Sequence, residues 1–221
     1  MLKPKRKIMR EEIKRDPFLE TIDKLESSFE KNKKIFINIA LGLIGLIFII
    51  NFLLKKYDQK KIDSNSALGV AMVAFENSDY ENAKFQFETI ISEFAGTTAS
   101  SFANFYLGRI YFENNEFLKS ELYLNTFMNS NESEILYTGA IKMLTQIALQ
   151  NNQYRKAIKL LDNGLREVSK NNSIELKLIK TVVLKDQGKT DEAKSLLNEI
   201  ILEEKLPPHL KQKSEELIGL M

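Results

Sequence analysis

The chain has 221 residues, with 32 Lys and Arg against 30 Asp and Glu. This near balance argues against a dedicated nucleic-acid-binding domain, which usually gathers its basic residues on one face. Cysteine is absent, which excludes disulfides, thiolate metal sites, cysteine nucleophiles and an acylated lipoprotein anchor. The only prolines are at positions 4, 17, 207 and 208. The long interval between Pro17 and Pro207 therefore lacks the strongest helix breaker, which predicts an all-α protein.

Residues 1–34 form a predicted cytoplasmic tail that is basic in its first half. Asp16-Pro17 predicts a helix start, with Asp16 as the N-cap and Pro17 at the first helical position. The apolar residues Phe18, Ile22, Leu25 and Phe29 follow at spacings of four, three and four, which is typical of an amphipathic helix. This helix could lie on the bilayer surface, pair with a second copy or dock on a membrane partner.

The segment 35–54 reads IFINIALGLIGLIFIINFLL and contains no charge. A helix of about 20 apolar residues spans the hydrocarbon core of a bilayer. A cleaved signal peptide is the alternative, but its apolar region would be only about 7–15 residues long. Eleven Lys and Arg precede the segment, whereas the fifteen residues after it hold four. Positive charge stays on the cytoplasmic side, so we expect a transmembrane helix with its N-terminus inside and the bulk of the chain outside.

A predicted linker, residues 55–63, leads into a region that repeats itself. Four segments align without gaps at offsets of 37, 37 and 36 residues: 78–91, 115–128, 152–165 and 188–201. They share a small-residue column, Ala83, Ser120, Ala157 and Ala193, and an apolar column, Phe87, Leu124, Leu161 and Leu197. One helix pair cannot bury its apolar faces alone, so the pattern predicts stacked pairs in an α-solenoid.

A further helical stretch precedes each segment, and its apolar residues are predicted to face inward. They are Val70, Val73 and Ala74 in the first unit, Leu107, Ile110 and Tyr111 in the second, Leu144, Ile147 and Ala148 in the third, and Ile179, Val183 and Leu184 in the fourth.

These features resemble the tetratricopeptide repeat family. The resemblance rests on Leu107-Gly108 followed by Tyr111, on the aromatic residues Tyr80, Phe117 and Tyr154, and on Ala83, Ala157 and Ala193. It covers residues 64–207 and implies about four helix pairs, at 64–97, 101–134, 138–171 and 174–207, with a closing helix at 208–221. The period is longer than the family's, no proline separates the repeats before Pro207, and Lys180-Thr181 replaces Leu-Gly in the fourth unit.

No catalytic motif is present, and the single histidine, His209, has no nucleophile near it in sequence. We therefore expect no enzyme activity, no cofactor and no metal site.

The resemblance to tetratricopeptide repeats implies instead that the first helix of each pair lines a protein-binding groove, formed by Leu68, Met72, Phe75, Phe102, Phe105, Arg109 and Phe112. The alternative is that part of this aromatic stripe packs in the core. The same columns hold Gly139, Lys142, Gln146 and Leu149 in the third unit and Glu175, Leu178, Val182 and Lys185 in the fourth, so an apolar ligand would favour the first half.

A short tail, one span and an outward repeat domain together resemble the single-span ancillary subunit of the bacterial Sec translocon. This resemblance is architectural and rests on no particular motif. It implies a periplasmic adaptor on the inner membrane whose partners are translocon subunits, a periplasmic chaperone or nascent envelope proteins. Two alternatives stay open: a structural scaffold of another envelope complex, in division or outer-membrane assembly, and an enzyme accessory or sensor that acts through the cytoplasmic helix. The sequence leaves the oligomeric state open.

Overall fold

The computed structural model of the chain describes residues 21–22, 31–130, 132–203 and 206–220. Across these ranges the chain forms nine long helices and no strand, which confirms the all-α prediction. The helices are α1 (Lys33–Glu76), α2 (Tyr80–Glu93), α3 (Thr98–Glu113), α4 (Phe117–Met128), α5 (Glu134–Gln150), α6 (Tyr154–Glu167), α7 (Lys170–Asp186), α8 (Thr190–Ile201) and α9 (Pro208–Gly219). Of the predicted amphipathic helix from Phe18 to Phe29, only Thr21 and Ile22 lie within the described residues, and its Asp16-Pro17 start lies outside them.

The chain divides into two compact units, residues 1–57 and 58–221. Most of the described part of the first unit is the N-terminal portion of α1, a helix of 44 residues and roughly 66 Å at 1.5 Å per residue. The large apolar side chains between Ile35 and Leu54 are all exposed. The predicted linker, residues 55–63, is helical and belongs to α1.

The second unit is built from helix pairs joined by one recurring turn. Each turn places a residue in the left-handed region: Ser78 (φ 60°), Asn115 (φ 61°), Asn152 (φ 57°) and Gly188 (φ 74°). In the first turn the Ser78 N–H donates to the Phe75 carbonyl and the Asp79 N–H donates to the Ala74 carbonyl, both at 3.0 Å. The other three turns repeat this pair of bonds, which is the Schellman ending of a helix. The turns therefore recur at the offsets that the sequence shows.

The residues of the two columns predicted from the sequence lie in the buried centre of each helix pair. All four small residues, Ala83, Ser120, Ala157 and Ala193, are fully buried, and so are Phe87, Leu124, Leu161 and Leu197. Close packing explains the need for small residues. A Cβ on Gly108 of α3 would lie 2.8 Å from the Leu124 Cγ of α4, a distance at which side-chain atoms overlap.

The first helix of a pair begins three or four residues before the predicted unit starts of 101, 138 and 174, and side-chain caps fix the first two of these starts. The Thr97 side chain accepts from the Ser100 N–H at 3.2 Å, and the Ser133 side chain accepts from the Leu136 N–H. At the other end, α9 begins with Pro208 at its first position. Its apolar side chains Leu210 and Leu217 pack against the core of the fourth pair, as expected of a closing helix.

One prediction about the first pair is wrong. Val70 and Val73 were predicted to face inward, but they are 60% and 61% exposed. The inward face of α1 consists instead of Ala71, Ala74 and Phe75. The two valines occupy columns that, in the second and third repeats, are covered by the preceding repeat. Among the described residues, no repeat precedes the first pair.

Candidate functional site

The first helices of successive pairs lie next to one another along one side of the repeat unit. Helix α3 contacts α5, α5 contacts α7, and α7 contacts α9, whereas the second helices α4, α6 and α8 make no comparable contacts with each other. We call the surface formed by residues 58–76 of α1 and by α3, α5 and α7 the first-helix face. All seven residues of the predicted groove lie on these helices.

Two of the seven predicted residues are core residues. Phe105 is 6% exposed, and its ring lies edge-on to Phe127 and Tyr106 at centroid distances of 5.2 and 5.3 Å. A Cβ on Gly139 would lie 3.3 Å from the Phe105 ring, so this phenylalanine fills the space between the second and third pairs. The core alternative therefore describes Phe105 better than the groove does.

Phe75 is also 6% exposed and belongs to an aromatic cluster of the first two pairs. Its ring centroid lies 5.2 Å from that of Tyr106 and 5.7 Å from that of Tyr80. Tyr106 in turn stacks on Phe87 with an interplanar angle of 11°. Burial raises the pKa of the Tyr106 phenol, which therefore stays neutral over the physiological range.

Arg109 covers the outer side of this cluster. Its guanidinium carbon lies 5.2 Å from the Phe75 ring centroid, within the range of a cation–π interaction. Its Nε donates to the Glu113 carboxylate at 2.8 Å. The Arg109 side chain nevertheless keeps 45% of its surface exposed. Arg109 is thus a solvent-facing cation that is held in place by the Phe75 ring and the Glu113 carboxylate.

The remaining four predicted residues are half-buried. Leu68 and Met72 of α1 pack at the edge of the first core cluster, and Phe102 packs at the edge of the second. Phe112 contacts Phe117, the first residue of α4, with a ring-centroid distance of 6.0 Å. Leu68, Met72, Phe102, Arg109 and Phe112 therefore remain as the accessible part of the proposed groove.

The second half of the first-helix face holds a cavity of about 280 Å³. Lys142 of α5 and Glu175 of α7 form an ion pair across it at 2.8 Å, and the apolar residues Leu178 and Val182 line the same cavity. The sequence placed these residues in the groove columns of the third and fourth units. It did not show that α9 completes the cavity with His209, Leu210 and Lys213. Only the tertiary position of the closing helix brings them there.

A model of the tetratricopeptide repeat-like domain family matches residues 28–205. The chain belongs to the tetratricopeptide repeat-like family. No curated protein matches the chain.

Membership in the tetratricopeptide repeat-like family supports a role in protein–protein interaction, because a repeat solenoid presents an extended surface to its partners. The chemistry of the site agrees with binding. The first-helix face offers half-buried apolar side chains and an aromatic-supported arginine, which are residue types enriched at interface hot spots. Within the described ranges, no group of three or more His, Asp or Glu side chains could hold a metal ion.

Proposed function

We propose that this tetratricopeptide repeat-like protein is a membrane-anchored adaptor whose repeat domain binds protein partners. The observation that carries the proposal is the form of α1. One continuous helix includes both the uncharged segment 35–54 and, from Ser64 to Phe75, the first helix of the repeat domain. Anchoring and partner binding are thus combined in one chain.

The exposure of the apolar segment supports the anchor. Among the described residues, α1 alone is long and apolar enough to cross a bilayer, and none of its most apolar stretch is buried. A core helix of a soluble protein would bury one side of such a segment. In lipid, by contrast, exposed Ile, Leu and Phe side chains are favourable.

The distribution of charge supports an orientation with the repeat domain in the periplasm. The tail before the span is rich in Lys and Arg, and such segments stay on the cytoplasmic side. On that topology the first-helix face meets proteins outside the inner membrane. The finer proposal is that these partners are translocon subunits, a periplasmic chaperone or nascent envelope proteins near the Sec translocon.

Cysteine labelling tests the topology cleanly, because the natural chain has no cysteine. Ser195 of α8 is exposed, so S195C is expected to react with a membrane-impermeant maleimide in intact spheroplasts. If S195C reacted only after the inner membrane is broken, the repeat domain would lie on the cytoplasmic side, opposite to the proposed orientation. If alkaline carbonate extracted the chain from membranes, the proposal that the chain has a membrane anchor would be wrong.

A charge-reversal pair tests the binding face. Arg109→Glu reverses the exposed cation of the first-helix face, whereas Lys159→Glu makes the same charge change at an exposed position on the second helix α6. We expect R109E to lower the amount of translocon or chaperone that co-purifies with the chain from solubilised membranes, and K159E to leave it unchanged. Equal recovery with both variants, at equal melting temperatures, would contradict the assignment of the binding face.

A further inference from the structure

The side of α1 that faces away from the repeat core is apolar where a solvent-facing helix is usually charged. We define the outer stripe as Ile62, Ser66, Gly69, Val70 and Val73, all of which are exposed. Its three branched residues are 59%, 60% and 61% exposed, in that order. The spacings of four, three and four between Ile62, Ser66, Gly69 and Val73 place these residues on one side of the helix.

The repeat columns show that this side is normally an interface. Val70 and Val73 are equivalent to Leu107 and Ile110, which are 0% and 1% exposed because they pack in the core cluster of the first repeat. The same columns are also buried in the third repeat, at Leu144 and Ile147. Helix α1 therefore has the composition of an inner helix that is covered on both sides. In the described part of the chain, only one of its sides is covered.

Among the described residues, no element supplies the cover. The closing helix α9 packs at the opposite end, against the fourth repeat.

The charge pattern of the stripe fits a second copy of the same helix. No charged residue occurs from Ser64 to Phe75. In a parallel, in-register pair each residue meets its own copy, and like charges placed opposite each other would repel. The Ser66 hydroxyl donates to the Ile62 carbonyl at 3.1 Å, so it can be buried without losing its hydrogen bond. A Cβ on Gly69 would meet nothing within 4 Å, which leaves room for close approach.

We propose that two copies of the chain pack through the outer stripe as a parallel homodimer in the membrane. The inference rests on the proposed membrane anchoring. The stripe runs over 12 residues, roughly 18 Å of a helix that is about 10 Å wide. One side of this segment therefore offers about 180 Å², less than the ~800 Å² per partner that stable soluble interfaces bury. The shared membrane compensates for the small interface area, because anchoring aligns the two copies and raises their effective concentration.

Disulfide crosslinking of the full-length chain in its native membrane tests the proposal. S66C and V73C place one thiol on the stripe, and K61C places one at an exposed position of the same helix on another side. A disulfide requires Cβ atoms about 3.5–4.5 Å apart. We expect mild oxidation to give S66C and V73C products of twice the 25.5 kDa chain mass, on the order of 10-fold faster than K61C because the stripe holds the thiols together. Adding Val73→Lys to S66C is expected to abolish the S66C product.

The other outcomes overturn the dimer in distinguishable ways. Equal rates at all three positions would mean random collision. No product from chains that stay in the carbonate-washed pellet would reject the dimer and leave the anchor intact. Products at other masses would assign the stripe to a different protein. Recovery of the chain in the carbonate supernatant would contradict the membrane anchor. It would then also contradict the proposed function and the tether that the dimer requires.

Discussion

Gly108→Ala should destabilise the protein, although Gly to Ala in the middle of a helix usually stabilises. The added methyl would lie 2.8 Å from the Leu124 Cγ, 2.9 Å from its Cδ2 and 3.2 Å from its backbone nitrogen. Overpacking of this kind costs about 1–3 kcal/mol, whereas the helix gains only about 0.5–1 kcal/mol from the residue change. One of the atoms met belongs to the Leu124 backbone, so the cost should lie in the upper part of that range, about 2–3 kcal/mol. We therefore expect a net loss of about 1–2.5 kcal/mol in the free energy of unfolding.

A double-mutant cycle shows whether the close approach of α3 and α4 causes this loss. Leu124 is fully buried, so Leu124→Ala alone should cost about 2–5 kcal/mol. It also removes both carbon atoms that the Gly108 methyl would meet. In the L124A background, Gly108→Ala should become close to neutral, with a coupling energy of about 1–2 kcal/mol.

Urea titration of the detergent-solubilised, monomeric chain, followed by far-ultraviolet circular dichroism, measures all four proteins of the cycle. Gly69→Ala is the matched control, because a Cβ there meets nothing within 4 Å and should stabilise the helix by about 0.5–1 kcal/mol. A neutral or stabilising G108A, or the same cost with and without Leu124, would refute the close helix contact.

Three further predictions concern the turns, a cap and the core. Ser78→Gly should raise the unfolding free energy by about 0.5–1 kcal/mol and Gly188→Ala should lower it by about 1–2 kcal/mol, because both positions are left-handed; urea midpoints that move the other way would contradict the turn geometry. Hydrogen bonds from the start of α7 hold the pKa of the Glu134 carboxyl below its ordinary value of 4.5. The ionised Glu134 therefore stabilises the protein fully above about pH 4.5, and this stabilisation is lost as the pH falls through the lower pKa of the folded state. The difference in melting temperature between wild type and E134Q should be largest near pH 7 and should shrink progressively below about pH 4.5; a difference that does not change with pH would argue against these hydrogen bonds. Phe105→Ala should cost about 3–5 kcal/mol, whereas Phe85→Ala at a 70% exposed position should change stability by less than about 0.5 kcal/mol; similar urea midpoints for the two variants would place Phe105 outside the core.

The repeat columns could be predicted from the sequence because they depend on local spacing. The small residue at Ala83 and the apolar residue at Phe87 recur with every pair, and the close helix contact that they make is the same each time. The exposure of Val70 and Val73 could not be predicted in this way. Their columns show which side of a helix is apolar, but not whether another repeat lies against it.

The candidate site was predictable only in part for a related reason. Helical spacing placed Phe105 and Arg109 on the same face of α3, yet one is buried and the other exposed. The difference arises because Gly139 of the next pair leaves a space that the Phe105 ring fills. The cavity beside Lys142 likewise depends on where α9 packs, which brings His209 to the third and fourth pairs. Sequence spacing holds no information about these contacts between elements.

Photo-crosslinking in intact membranes tests the central claim, partner binding by the first-helix face, most directly. A photoreactive residue in place of the exposed Arg109 should give adducts with translocon subunits, a periplasmic chaperone or nascent envelope proteins, identified by mass spectrometry. The same residue in place of Lys159, exposed on the second helix α6, should not give them. Identical adducts from both positions, or none from Arg109 in a chain that remains in the membrane, would contradict the account.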